Sequence, residues 1–127
     1  MVEYDMGNVI HLFAYGTLME PEILECASGG RYRSEPACLE GYQRLTVIGQ
    51  VYPGIVETAG YRVAGIVFLN LPADAFERLD RFEGELYQRV TVPIVCGNGR
   101  QIDAYTYVVA PGEEGRLGDE EWDFDDF

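Results

Sequence analysis

Basic residues are scarce in this chain: nine Lys and Arg stand against 22 Asp and Glu, for a net charge of −13. A surface this anionic repels phosphate backbones and anionic headgroups, which argues against nucleic acid and membranes as partners. Cysteine is sparse too. Cys26, Cys38 and Cys96 are odd in number, widely spaced and without a CxxC pair, a pattern that fits neither a disulfide framework nor a zinc or redox motif. They are expected to be reduced, small core hydrophobes. The single histidine, His11, sits inside an apolar run and is expected to be a satisfied core residue, so no metal site is expected. Long apolar stretches are missing: residues 9–14 are interrupted by His11 and far too short to span a bilayer, and the first six residues lack the basic flank of a signal peptide. These absences point to a cytoplasmic protein.

What remains is an ordinary globular composition, 47% hydrophobic and 24% charged over 127 residues, enough for one domain with one real core. Residues 1–127 are expected to form that domain, with an acidic tail from about residue 111 that holds eight Asp and Glu after position 112 against Arg116 alone. A solvated tail is the simplest reading, although Trp122, Phe124 and Phe127 favour partial docking. Nothing in the residues specifies an oligomeric state.

Residues 9–14 have the branched and aromatic content of a buried strand, which Tyr15-Gly16-Thr17-Leu18 ends in a loop. Pro21 then opens a short helix from about residue 20 to 27, with early acids suiting the helix dipole and Gly29-Gly30 stopping it. Segments 35–40, 42–48 and 61–69 read as strands, with a turn at Tyr52-Pro53-Gly54. Pro72 starts a second helix in which Leu71, Ala75, Phe76, Leu79 and Phe82 form one apolar stripe. After Gly84, Val90, Val92 and Ile94 alternate with polar residues, Asn98-Gly99 marks a hairpin turn, and Ile102, Ala104, Thr106 and Val108 alternate on the return. Strands and helices do not alternate regularly. The expected fold is therefore α+β, a small mixed or antiparallel, barrel-like sheet with flanking helices.

Glu83 ends the second helix immediately before Gly84. A carboxylate there lies beside the partial negative charge of unpaired helix carbonyls, which disfavours its ionised form, and burial would raise its pKa further. A surface helix would carry Lys or Arg at that end. By itself a helix-end Glu is more often a solvated residue, and the loop at 15–18 more often a plain strand terminator.

Taken together, the loop Tyr15-Gly16-Thr17-Leu18 and the stretch from Leu79 through Asp80, Glu83, Gly84 and Tyr87 to Arg89 resemble the gamma-glutamyl cyclotransferase-like superfamily, in its avirulence-induced-gene-like branch. Gly41-Tyr42-Gln43-Arg44 and Glu121-Trp122-Asp123-Phe124 add to the resemblance, which covers nearly the whole chain. It implies an intramolecular aminolysis: the free α-amine of a γ-glutamyl group attacks its own side-chain amide, giving 5-oxoproline and releasing an amine or amino acid without a cofactor. It places the acid–base role on Glu83 and the binding of the γ-glutamyl head on Tyr15, Gly16, Thr17 and Leu18, with Pro53 and Tyr87 as further walls. The partner implied is a small γ-glutamyl substrate. Tyr107 is a candidate wall or core aromatic. Asp80 is read as bonded to a nearby backbone group or to water, and Arg89 as meeting either a substrate or a neighbouring carboxylate. The competing readings are a non-catalytic binding protein that keeps the cavity, and another acyl or amide transferase.

Overall fold

The computed structural model describes residues 9–122. In chain order these form β1 (Val9–Ala14), a 3-10 turn (Thr17–Met19), α1 (Pro21–Ser28), β2 (Ser34–Val47), β3 (Pro53–Pro72), α2 (Ala73–Glu83), β4 (Tyr87–Cys96), β5 (Gln101–Val109), a second 3-10 turn (Glu114–Arg116) and β6 (Leu117–Glu121). The sheet runs β3-β1-β5-β4-β2-β6, and a further β2–β3 pairing closes its first five strands into a barrel. Only β1 and β5 run parallel, through Leu12 and Tyr105; the other pairings are antiparallel. The expected α+β, barrel-like architecture is the one observed.

The alternation of β1 explains why the barrel carries two apolar layers. Phe13 and Tyr15 point inward onto Leu39, Ile55, Val67 and Ile94, while Leu12 and Ala14 point outward onto Leu24 of α1 and Phe76 and Leu79 of α2. One short strand thus faces both the barrel interior and the helical layer, and its C-terminal end emerges between them.

Several boundaries differ from expectation. The two segments read at 35–40 and 42–48 are one strand, β2, bent at Gly41, whose φ of +85° favours glycine. There the register jumps: Glu40 faces Arg62 but Tyr42 faces Glu57, so residues 58–61 of β3 bulge opposite the glycine. The turn read at 52–54 is instead the start of β3, because residues 53–57 gain a full ladder with β2 from Thr46 to Tyr42. Over its described part, the acidic segment after residue 111 shows the partial docking that Trp122 favours rather than a solvated tail. Leu117–Glu121 adds to β2, and Trp122 is buried with its indole N–H donating to the Val51 carbonyl at 2.7 Å. Phe124 and Phe127 lie outside the described residues.

Phe82, expected in the buried stripe of α2, is half exposed. Among the cysteines only Cys96 is a core residue, Cys26 being exposed and Cys38 half-buried. His11 is also not a core residue: it lies at the sheet surface, where its Nδ1 accepts the Asn70 N–H at 3.1 Å. No helix among the described residues is long and apolar enough to cross a membrane.

Candidate active site

Five chain segments converge where β1 leaves the barrel: the loop at 15–18, the start of β3, the end of α2 running into β4, the end of β5, and the 3-10 turn at Glu114–Arg116. Between them lies a cavity of about 260 Å³. Glu83, Tyr15, Gly16, Thr17, Leu18, Pro53 and Tyr87 all line it, as does Tyr107. The two motifs, far apart in sequence, are thus brought to one wall-to-wall space.

Glu83 has no hydrogen-bond or ion-pair partner among the described residues. Burial alone raises its carboxyl from the usual 4.5 to about 7, the direction expected for a carboxylate removed from water without compensation. Three tyrosines surround the carboxyl, and each spends its hydroxyl proton elsewhere. Tyr15 donates to the Tyr107 carbonyl at 2.6 Å, Tyr87 to the Pro53 carbonyl at 2.5 Å, and Tyr107 to Asp80 Oδ1 at 2.6 Å. Burial, reinforced by the Glu83 charge among smaller causes, pushes all three phenols far above neutral pH. They are therefore fixed, neutral walls, and Glu83 is the group in this cavity whose proton can come and go near pH 7.

Asp80 faces away from that proton work. Besides accepting from Tyr107, it pairs with Arg89 at 3.2 Å, and the Arg89 guanidinium lies 5.2 Å from the centre of the Phe76 ring and 4.4 Å from that of Tyr105. Asp80 thus binds side chains rather than a nearby backbone group, and Arg89 meets a protein carboxylate. Asp80→Asn keeps an acceptor for Tyr107 and removes one partly exposed ion pair, an interaction worth at most about 1 kcal/mol. It is expected to lower activity far less than Glu83→Gln in steady-state assays of both folded variants. Equal losses would show that two carboxylates share the proton.

The loop is held from behind. Arg44 donates to the Tyr15 carbonyl at 2.8 Å and to the Ala64 carbonyl at 3.1 Å, a role that its place in a sequence motif did not reveal. Met19 and Glu20 donate back to Gly16 and Thr17 in the 3-10 turn, which leaves the leading N–H groups of Thr17 and Leu18 without an intrahelical acceptor.

Gly16 is required by a close approach of Pro53: a Cβ there would sit 2.8 Å from Pro53 Cγ and 2.9 Å from Pro53 Cδ. Gly16→Val is therefore expected to destabilise the fold by about 1–3 kcal/mol, the usual cost of overpacking. It should also weaken binding of a γ-glutamyl analogue lacking the attacking amine, because Pro53 is displaced. Thr17→Ser should be nearly silent, since no hydrogen bond of the Thr17 hydroxyl is present among the described residues. Calorimetric titration and thermal melts of both variants check this, and parental stability and affinity in Gly16→Val would refute it.

Phe82, Leu86 and Arg116 also line the cavity and were missed as site residues. Phe82 fits the helical stripe as well as the site, Leu86 carries no distinguishing pattern, and Arg116 stands in the segment read as tail. Its being the lone base among eight acids was the available signal. Among the described residues there is no group of three or more His, Cys, Asp or Glu that could hold a metal ion.

The sequence model of the family described as gamma-glutamyl cyclotransferase, AIG2-like, matches residues 12–124, a span that contains every cavity residue named above. The chain belongs to this family. AIG2-like protein A of Arabidopsis thaliana is 30% identical over 129 residues, covering 100% of this chain and 77% of the relative. A solution structure of another Arabidopsis thaliana protein is 31% identical with a TM-score of 0.77, over 94% of this chain and 80% of that one. A solved gamma-glutamyl cyclotransferase shares the fold, with a TM-score of 0.70 at 18% identity over 80% of this chain and 67% of its own. In this family member the loop and the helix-end glutamate are both present and share one cavity.

Proposed function

We propose that this protein is a gamma-glutamyl cyclotransferase-like enzyme, which cyclises the γ-glutamyl group of a small amide to 5-oxoproline and releases an amine or amino acid. The observation that carries the reading is Glu83: a carboxylate without a partner among the described residues, raised to about 7 by burial, in a cavity that the loop at 15–18 also lines.

The chemistry needs one group that first accepts and then returns a proton. The substrate's α-ammonium cannot attack until it loses a proton, and the departing nitrogen leaves poorly until it gains one. Ionised Glu83 takes the first proton and the freed amine attacks the γ-amide carbonyl, forming the ring C–N bond. Protonated Glu83 then delivers that proton to the leaving nitrogen as the old C–N bond breaks. The ring nitrogen still carries one proton more than the lactam N–H, and this second proton passes to the released amine, which departs as its ammonium. The step is redox neutral and balances without a cofactor. A pKa near 7 matches this double duty, because base strength and acid strength are both usable there. The leading N–H groups of Thr17 and Leu18 are suited to the substrate carboxylate or to the negative charge that develops on the attacked carbonyl.

The test is to incubate the purified protein with a panel of γ-glutamylamines and γ-glutamyl amino acids and to quantify 5-oxoproline. Release from at least one class is expected. Binding without release would leave a non-catalytic binder, and cleavage with free glutamate as product would point to hydrolysis.

A further inference from the structure

Arg44 and Trp122 do not line the cavity, yet both are built against the loop that does. β1 stops pairing with β3 at Ala14 and Ile66, and the neighbouring Gly65 lets the Ala14 carbonyl approach β3, since a Cβ at Gly65 would collide with it. Just past that point one guanidinium nitrogen of Arg44, Nη1, donates to the Tyr15 carbonyl at 2.8 Å and to the Ala64 carbonyl at 3.1 Å. Its two hydrogens serve two strands. The same guanidinium lies over the Trp122 ring, with Cζ 5.4 Å from the ring centre, a cation–π contact. Trp122 is itself fixed: it is buried, its indole N–H is held by the Val51 carbonyl, and its backbone N–H donates to the Arg44 carbonyl at 3.4 Å.

What this grip controls is a peptide plane. The bond between Tyr15 and Gly16 is trans, so its carbonyl and its N–H point in opposite directions. With the carbonyl committed to Arg44, the Gly16 N–H is turned away from Arg44, and the chain runs on from that plane into the 3-10 turn that begins at Thr17. The hydroxyl bond from Tyr15 to the Tyr107 carbonyl fixes the side chain and not the plane. Arg44 therefore sets the direction in which the loop amides start out.

We propose that Arg44 and Trp122 are positioning residues: Trp122 holds the Arg44 guanidinium against the Tyr15 and Ala64 carbonyls, and that hold aims the amides of residues 16–18 at the γ-glutamyl head. This rests on the reading above, in which the loop receives that head. The end of the acidic segment then belongs to the working parts of the site, although it touches no substrate. A planar cation is needed for the double task, because a guanidinium can present one face to the indole while its edge donates to carbonyls.

The experiment titrates the γ-glutamyl analogue lacking the attacking amine into the parent, Arg44→Met, Arg44→Lys, Trp122→Leu, Trp122→Phe and the Arg44→Met, Trp122→Leu double variant. Arg44→Met, which keeps the stem and loses the donors, is expected to bind about tenfold or more weakly, the scale of a charge-assisted hydrogen bond. Trp122→Leu should lose about threefold or more, the scale of the ring contact, and the double variant no more than Arg44→Met alone, because both act through one contact. Arg44→Lys and Trp122→Phe should each recover part of the loss. In turnover the losses should fall on KM more than on kcat. Parental affinity in folded Arg44→Met or Trp122→Leu would overturn the proposal, and so would losses that simply add in the double variant. Amide hydrogen exchange tests the hold without any ligand: the Met19 and Glu20 N–H groups, which donate to the Gly16 and Thr17 carbonyls, should exchange faster in Arg44→Met while the β4–β5 ladder keeps its parental rates. A rise spread evenly over the chain would mark a general loss of stability and refute positioning. If Arg44→Met does not fold, Arg44→Lys and Trp122→Leu decide by the same criteria. If the parent does not bind the analogue, the cyclising reading fails, and the exchange pattern alone decides whether Arg44 holds the loop.

Discussion

Glu83→Gln is expected to reduce 5-oxoproline formation by about a hundredfold or more while leaving the fold intact. The amide matches the carboxylate in shape, so the cavity walls, which touch Glu83 without bonding to it, have no reason to move. What the amide lacks is the ability to accept the ammonium proton. No neighbour can replace it: the hydroxyls of Tyr15, Tyr87 and Tyr107 are committed to Tyr107, Pro53 and Asp80 and stay protonated at neutral pH. A non-cyclising γ-glutamyl analogue should still bind, so the loss should appear in kcat more than in affinity. Parental turnover in a folded Glu83→Gln variant would remove Glu83 from the reaction.

The same substitution should stabilise the protein, and only above a certain pH. A carboxyl with a folded pKa of about 7 and an ordinary value of 4.5 binds more protons folded than unfolded between those limits. Stability therefore falls as pH rises through that window, and the full penalty is present above about pH 7. The penalty amounts to up to about 3 kcal/mol at 1.36 kcal/mol per pKa unit, and Gln does not carry it. Denaturant unfolding should show Glu83→Gln more stable than the parent at pH 8, with the advantage closing as pH falls towards 4.5. A difference that stays constant from pH 4 to 8 would mean that Glu83 is neither buried nor perturbed as described.

A site whose proposed acid–base group weakens the fold bears on which parts of this protein could be read from sequence. Local chemistry was legible: the glycine-ended strand at 9–14, the stripe of α2, the Asn98-Gly99 hairpin, and Glu83 as a residue in the wrong place for stability. Tertiary pairing was not. The acids of 117–121 look like a solvated segment until β2 supplies a ladder for them, and 53–57 carry a turn signal and no strand pattern until β2 pairs with them. Phe82 obeys the helical period, but it lies in the last turn of α2 against the cavity and is half exposed among the described residues. Gly16 illustrates a subtler limit. The need for glycine was readable, whereas its cause, the Pro53 ring packed against it, depends on a contact across 37 positions of sequence that no local pattern encodes.

The pH dependence of kcat/KM for 5-oxoproline release tests the central claim most directly, because it reads the protonation of Glu83 in the act of catalysis. The account predicts a profile that falls about tenfold per pH unit below a pKa near 7, the range set by the buried carboxyl, and a Glu83→Gln variant whose residual rate lacks that limb. A profile flat down to pH 5, or a limb near 7 that persists in Glu83→Gln, would contradict it.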